Sequence, residues 1–153
     1  MIEIRNGADY LPQIKELIIE YTNSLGRDLS FQDLSGELTD ISAKYTPPAG
    51  ELIAAVEEGR VLGMVAYHRR SERRCEMKRL YVRPENRGRH LGELLVSEIV
   101  SRAAAAGYEE MVLDTIEPLK AAVSLYHKMG FEVCEPYYHN PMSDVIYMSK
   151  KLI

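Results

Sequence analysis

Three strand-like segments follow one another near the middle of the chain, and the connections between them are too short to hold a helix. Apolar runs occupy Leu52 to Val56 and Val61 to Tyr67, and a third segment extends from Cys75 to Val82, shortly before Pro84. Consecutive strands with such short connections pair as hairpins. The pattern predicts a three-stranded antiparallel meander, so any fold of this chain must contain a sheet.

Helical periodicity flanks the meander on both sides. Apolar residues recur every three or four positions in four segments, at 11–25, 34–45, 91–103 and 118–129. Further short strand candidates lie at 2–5, 111–115, 131–133 and 145–148. We therefore expect one α/β domain of the α+β type over residues 1–153, with a mixed, mostly antiparallel twisted sheet of six to seven strands flanked by about four helices.

The composition is that of an ordinary globular protein, with 46% hydrophobic and 27% charged residues, which excludes disordered and fibrous classes. Cys75 and Cys134 have neither the spacing of a zinc site nor that of a disulfide framework, so we expect no metal. The apolar stretches are too short to cross a bilayer, and the N-terminus has no apolar signal core. We expect a cytoplasmic protein without a membrane partner.

Charge is distributed unevenly along the chain. Residues 69–89, which we call the basic segment, contain nine basic and three acidic residues, whereas the rest contains ten basic and twenty acidic ones. A basic segment in an otherwise acidic protein favours one localised polyanionic ligand over broad attraction to nucleic acid. A solvated hairpin whose arginines face water is an equal alternative on charge alone.

A glycine-containing turn lies between the third strand of the meander and the next helix. It reads Arg87-Gly88-Arg89-His90-Leu91-Gly92. The start of a helix leaves backbone N–H groups without partners, which attract phosphate, and the two arginines can add charged contacts. The turn matches neither a Walker loop nor the dinucleotide fingerprint. A mononucleotide or diphosphate site and a purely structural turn both remain open.

Two blocks of the sequence together resemble the GNAT superfamily of acyl-CoA-dependent N-acyltransferases. Arg87 to Gly92 is similar to the family's pyrophosphate motif, with His90 where glycine is usual, and Ser124 to Phe131 resembles its helix ending in Leu-Tyr-x-x-x-Gly-Phe. Order and context agree from about Leu52 to Val133. The resemblance implies a sheet with a splayed central strand pair and acetyl-CoA as the acyl donor. Homodimers are common in the family, and the sequence leaves the oligomeric state open.

The same resemblance assigns cofactor-binding and catalytic residues. The pantetheine arm of CoA is expected in the gap between the splayed strands, against backbone groups of the third meander strand. The expected cofactor residues are Leu80, Tyr81, Val82, Arg87, Gly88, Arg89, His90, Leu91, Gly92 and Glu93. Tyr126 matches the family's tyrosine that protonates the departing thiolate. Taken without the motif, its helical spacing indicates a core residue beside Val123 and Met129.

Glu76 is the expected base, since several family members place a glutamate at this point to remove a proton from the amine. Partial burial can raise the pKa of a carboxylate toward neutrality. An ion pair with Lys78 or a nearby arginine is an equal alternative. The polar-aromatic loop of Tyr137, Tyr138, His139 and Asn140 is expected to border the acceptor pocket, and a loop that packs on its own core is an equal alternative. Further pocket candidates, which the sequence does not rank, are Tyr21, Phe31, His68 and Arg79.

The resemblance thus implies an acetyl-CoA-dependent N-acetyltransferase that acts on a primary amine in a ternary complex. The acceptor can be a small molecule or a peptide. A CoA-binding sensor or partner module without turnover is the alternative. A nucleic-acid-binding domain is disfavoured, because the chain is acidic outside the basic segment and carries no helix-turn-helix or aromatic RNA-binding signature.

Overall fold

The computed structural model describes residues 1–26, 40–41, 45–47 and 49–153. The helix expected at 34–45 and the candidate Phe31 therefore lie wholly or largely outside the described residues. The elements in chain order are β1 (Glu3–Asn6), α1 (Leu11–Leu25), β2 (Glu51–Glu57), β3 (Arg60–Arg69), β4 (Arg74–Val82), α2 (Leu91–Ala105), β5 (Glu110–Ile116), α3 (Lys120–Lys128), β6 (Glu132–Val133) and β7 (Val145–Lys151). The expected strands and three of the expected helices are confirmed, with ends that shift by a few residues.

One seven-stranded sheet has the order β1-β2-β3-β4-β5-β7-β6. The meander is confirmed, because β2 pairs antiparallel with β3 and β3 with β4. The first hairpin turns at Glu58 and Gly59, whose φ angles of +51° and +78° are both positive. Two positive φ angles give the type I′ turn that matches the twist of a hairpin.

The parallel pairing of β4 with β5 interrupts this antiparallel pattern at the centre of the sheet. The two strands pair over Arg74 with Glu110, Cys75 with Met111 and Glu76 with Val112. Beyond Glu76 the register ends although both strands continue, so they diverge and leave an opening in the sheet. The expected splayed strand pair is confirmed.

A β-bulge in β4 lies beside this opening. Lys78 pairs with Ala66 and Tyr81 with Met64, so Arg79 and Leu80 together stand opposite a single residue of β3. Arg79 has φ of +62°, in the left-handed region that an arginine adopts at a cost of about 1 to 2 kcal/mol. Because a bulge inserts one residue, it reverses which side chains of β4 face which side of the sheet.

The core has two layers, one on each face of the sheet. On one face, which we call the α2 face, α2 and α3 pack on the strands through Leu95, Ile99, Met111, Tyr126 and Phe131. On the other, the α1 face, α1 packs through Ile14, Leu17, Ile18, Met64 and Tyr81. The opening between β4 and β5 connects the two faces. None of the helices in the described ranges is long and apolar enough to cross a membrane.

Candidate active site

A pocket fills the opening between β4 and β5. Its lining residues are Tyr21, Leu25, Met77, Lys78, Arg79, Leu80, Leu113, Asp114, Thr115, Ile116, Leu119, Tyr126 and Met142. Met77, Leu80, Leu113 and Tyr126 belong to the core of the α2 face, whereas Tyr21 comes from α1. The pocket thus passes through the sheet, with a mostly apolar lining on the α2 face and a charged lining on the α1 face.

Backbone groups of β4 face this opening. The Arg83 N–H donates to the Leu62 carbonyl of β3 at 2.8 Å. Backbone groups alternate along a strand, so those of Leu80 and Val82 point away from β3, toward the gap. The Val82 carbonyl accepts from Arg87 Nε at 3.2 Å, in agreement with that direction. Two of the expected cofactor residues therefore present their backbone where an extended ligand can pair with it.

Tyr81, between them, presents its side chain to the α1 face. Its ring lies 5.4 Å from that of Tyr21, and its hydroxyl donates to Glu20 at 2.7 Å. Burial and the Glu20 carboxylate raise the pKa of Tyr81 to about 12. Its side chain thus packs behind Tyr21, which lines the pocket.

The loop before α2 enters the helix through two residues with left-handed backbone. Gly88 has φ of +86° and His90 has φ of +60°, so His90 keeps the left-handed backbone that glycine adopts at low cost. The first bond of the helix runs from the Leu94 N–H to the His90 carbonyl at 3.2 Å. The N–H groups of residues 91–93 precede this bond and lie at the positive end of the helix.

Side chains of the motif hold the loop against α3. Leu91 is buried, and a Cβ on Gly92 would lie 3.0 Å from Leu125 Cδ2, so glycine allows the two helices to approach closely. Glu93 accepts from Lys128 Nζ at 2.5 Å, and that bond lowers the pKa of Glu93. These three expected cofactor residues therefore contact other parts of the protein, two by packing and Glu93 by an ion pair.

The two arginines of the loop have protein partners. Arg87 lies over the Tyr81 ring at 5.6 Å. Arg89 donates twice to Glu57 of β2, at 3.1 Å and 3.3 Å. Both lie in the last four residues before α2 begins at Leu91.

The expectation that the whole basic segment serves one ligand is wrong, because β4 separates its two ends. Arg73 and Arg74 lie at the β3–β4 turn and pair with Glu109 and Glu110. The loop arginines are roughly 25 Å away, at about 3.3 Å per residue of strand. Arg83 is buried and donates to the Val61 carbonyl at 2.7 Å, so it anchors the strand end instead.

Tyr126 both packs in the core and borders the pocket. Its ring lies edge-on to Phe131 with centroids 6.0 Å apart, and its side chain is among those that line the opening. Burial raises the pKa of Tyr126, and Tyr21 and Asp114 add to the effect. The phenol is therefore protonated at neutral pH and can donate a proton into the pocket.

Glu76 is buried on the α1 face and accepts two hydrogen bonds. Its Oε1 accepts from His68 Nε2 at 2.7 Å and its Oε2 accepts from the Tyr137 hydroxyl. Burial by itself raises its pKa, but the His68 bond, the Lys78 charge and the Tyr137 bond outweigh it and lower the pKa to about 2. The expected rise toward neutrality is wrong. His68 Nδ1 faces the Arg69 carbonyl at 3.1 Å, so both ring nitrogens face acceptors.

The loop before β7 completes the α1 face. The Tyr138 hydroxyl and Asn140 Nδ2 both donate to Asp114 of β5, the amide at 3.1 Å. Arg70 stacks on Tyr137 at 5.1 Å and on Tyr138 at 5.5 Å. Three of the four expected loop residues therefore meet the diverging strands, whereas His139 is exposed.

Sequence reasoning missed Asp114 and Arg70. Asp114 is the one carboxylate inside the apolar run of β5, and such an interruption of a strand was an available signal. Arg70 was counted only as part of the basic segment. Of the unranked candidates, Tyr21 and Arg79 line the pocket and His68 binds Glu76.

Residues 11–131 match the family model described as the acetyltransferase (GNAT) family. An uncharacterized N-acetyltransferase of Schizosaccharomyces pombe is 50% identical over 140 residues, which cover 90% of this chain and 86% of the relative.

Solved structures share the fold. An acetyltransferase of the GNAT family from Staphylococcus aureus superposes with a TM-score of 0.84 at 17% identity, over the whole of both chains. The PaiA N-acetyltransferase of Thermoplasma acidophilum, solved in complex with coenzyme A, gives a TM-score of 0.73 at 19% identity and covers 99% of each chain. The match to the family model and the close fungal relative together show that this chain belongs to the acetyltransferase (GNAT) family.

Proposed function

We propose that the protein transfers an acetyl group from acetyl-CoA to a primary amine by direct attack in a ternary complex. The observation that carries this proposal is the opening between β4 and β5, which joins the two faces of the sheet and has Tyr126 on its lining. A donor can reach the opening from the α2 face and an amine from the α1 face. Their meeting in one cleft supplies the proximity that acyl transfer requires.

The α2 face fits the donor. The N–H groups at the start of α2 suit the pyrophosphate of CoA, and Arg87 and Arg89 lie beside them. The exposed backbone edge at Leu80 and Val82 suits the amides of pantetheine, which would extend β4 as a short strand. A donor bound in this way would have its thioester near the bulge, where β4 and β5 have separated.

The acetyl transfer itself then requires only a few protein groups. The amine nitrogen attacks the thioester carbonyl carbon, and a backbone N–H of β4 stabilises the oxyanion. As the intermediate collapses, the C–S bond breaks and the Tyr126 hydroxyl gives its proton to the departing sulfur. The amine loses its proton through water.

Glu76 contributes to the loss of the amine proton through its negative charge. A carboxylate with a pKa of about 2 is a weak base, so we propose that it attracts the ammonium form and orients the water that carries the proton away. His68, hydrogen-bonded to Glu76, lies on the same side of the sheet.

The test is thiol release from acetyl-CoA with pooled amines (polyamines, amino acids, aminoglycosides and short peptides), paired with calorimetric binding of acetyl-CoA. Release that depends on one pool establishes the transferase. Binding without release from any pool supports a CoA-binding module without turnover. Absence of acetyl-CoA binding would overturn the proposal.

A further inference from the structure

The charged groups of the α1 face are paired within the protein. Glu76 and Asp114 each accept two hydrogen bonds from neighbouring side chains. Lys78 and Arg79 have partners of their own, and the charge of Lys78 lowers the pKa of Glu76. Arg70 stacks on two tyrosine rings of the loop before β7. A ligand that used one of these groups would have to displace its partner, so they offer little net binding energy.

Apolar side chains of α1 that line the opening are less completely covered than those beside it. Ile14, Leu17 and Ile18 form the stripe of α1 that packs on the sheet, and each has 0% exposure. Tyr21 and Leu25 continue this stripe toward the end of the helix. Both line the pocket, and both are only half-buried. The stripe thus loses part of its cover where it passes over the opening.

The loop before β7 supplies a third such side chain. Met142 lines the pocket and is half-buried, and its backbone N–H donates to Asn140 Oδ1 at 2.9 Å. Asn140 in turn donates to Asp114 of β5, so the loop is held against the diverging strands. Tyr21, Leu25 and Met142, which we call the apolar rim, therefore present hydrocarbon surface to the pocket. The thioether side chain among them can adjust to the shape of a ligand.

A second ionic group on the acceptor would be unfavourable at this face. An added ammonium would approach Lys78 and Arg79, which line the pocket, and an added carboxylate would approach Asp114 and the nearby Glu76. Like charges repel strongly where water is partly excluded, and an ion that leaves water without a partner is costly to bind. The face therefore fits an acceptor whose one ionic group is the reacting amine.

We propose that the acceptor is a primary monoamine with an apolar remainder, an alkyl or arylalkyl amine, whose hydrocarbon part packs on the apolar rim while the amino group faces the opening. The inference rests on the proposed acetyl transfer and narrows its acceptor. Burial of hydrocarbon supplies the affinity. The paired charges around the rim disfavour acceptors with a second charge, such as polyamines, aminoglycosides and free amino acids.

The experiment compares acceptors that differ in one property at a time. Hexylamine is matched with hexamethylenediamine, which adds a cation, with aminocaproate, which adds a carboxylate, and with ethylamine, which shortens the chain. All four are unbranched primary amines of similar basicity, and phenethylamine represents an aryl substituent. Thiol release from acetyl-CoA is measured with each. For the faster of the two apolar amines, hexylamine or phenethylamine, we expect kcat/KM to exceed that of the other three by about tenfold or more, the range for a few buried methylenes or one unpaired charge.

Leu25→Asn and Met142→Gln test the apolar rim, because each replaces hydrocarbon with an amide of similar size. Ile19→Asn is the matched control on the same helix, since Ile19 is 40% exposed and lies outside the pocket lining. We expect each rim variant to lower kcat/KM for the preferred apolar amine by about threefold to tenfold and to leave ethylamine and the affinity for acetyl-CoA unchanged. The control should keep the wild-type ratio of apolar amine to ethylamine. A variant that is merely less folded lowers both rates together, so the ratio reports specificity.

The outcomes separate this inference from the proposed function. If hexamethylenediamine, aminocaproate or ethylamine reacts as well as the apolar amines, the inference is wrong although the transferase stands, and an unchanged ratio in both rim variants overturns the assignment to the rim. If none of these amines releases thiol, calorimetry with CoA present compares N-hexylacetamide with N-ethylacetamide. Tighter binding of the hexyl product that Leu25→Asn removes supports the site, whereas equal binding, or a difference that the variant keeps, overturns it. If acetyl-CoA does not bind at all, the proposed function fails and this inference falls with it.

Discussion

The two sides of the opening in the sheet are built in different ways. On the α2 face, the expected donor site consists of backbone groups from a nearly continuous stretch, residues 80–93, with Tyr126 added from α3. On the α1 face, the site consists of side chains from several separate segments, including Glu76, Asp114 and Tyr137. Backbone geometry leaves a local sequence signature, whereas a buried side-chain network needs the folded chain to bring its parts together.

The two sides also differ in how they tolerate change. A helix N-terminus keeps its N–H groups when a side chain is replaced, so substitutions on the donor side should alter affinity modestly. A buried carboxylate that loses or changes its partners leaves unpaired charge in the interior, which costs several kcal/mol. We therefore expect most variants on the α1 face to affect folding and most on the α2 face to affect the cofactor.

Tyr126→Phe should have the largest effect on activity. It differs from other variants on the α2 face, because it should lower the rate of the reaction and leave cofactor affinity unchanged. The variant keeps the ring that packs on Phe131 and removes only the proton donor. We expect a fall in kcat of about a hundredfold or more, the range for general acid catalysis, with acetyl-CoA affinity unchanged. Single-turnover thiol release and calorimetry measure the two quantities, with Tyr10→Phe as the matched control. Full turnover in the variant would show that the hydroxyl only fills space.

Glu76→Gln should have the largest effect on stability. The folded-state pKa of Glu76 lies near 2, below its usual 4.5, so the ionised carboxylate stabilises the fold above pH 5 and this contribution is lost as the pH falls toward 2. A depression of this size corresponds to about 3 kcal/mol. Denaturant unfolding across pH 2 to 7 measures it, and the variant should be less stable at pH 7 and lose less stability on acidification.

A matched control separates the buried charge from charge in general. Glu109→Gln removes the carboxylate that pairs with Arg73 at the exposed turn, where the partner side chain is 77% exposed. Exposed pairs contribute under about 1 kcal/mol. Equal losses in Glu76→Gln and Glu109→Gln would mean that the network on the α1 face adds no special stability.

The sequence was informative where structure depends on local pattern. Period-2 and period-3.6 runs predicted the meander and the three helices, and the motif from Arg87 to Gly92 predicted the turn before α2. The bulge at Arg79 could not be predicted from the sequence, because no glycine stands at the position with positive φ. The low pKa of Glu76 could not be predicted either, since Tyr137 donates to it from 61 positions away.

Arg89→Gln tests whether a side chain, in addition to the backbone, contributes to acetyl-CoA binding on the α2 face. Arg89 is 40% exposed and donates to Glu57, so its loss should change stability by under about 1 kcal/mol. If the guanidinium also reaches a phosphate of CoA, affinity for acetyl-CoA should fall about threefold to tenfold, and less in high salt. Arg60→Gln, which removes another exposed ion pair with Glu85, is the control. If the dissociation constant for acetyl-CoA is unchanged in Arg89→Gln, Arg89 binds only Glu57 of β2 and does not contact the cofactor.

The smallest effect is expected at His90, where backbone and side chain can be tested separately. His90→Gly removes the left-handed strain of about 1 to 2 kcal/mol but adds entropy to the unfolded chain, so we expect a net gain of about 0.5 to 1 kcal/mol. His90→Ala removes the same imidazole and keeps the strain. If the turn binds CoA through its N–H groups, both variants should bind acetyl-CoA as the wild type does, and only the glycine variant should melt at a higher temperature. Equal weakening of acetyl-CoA binding in both variants would instead mean that the exposed imidazole contacts the cofactor, and the donor side would then depend on a side chain as the acceptor side does.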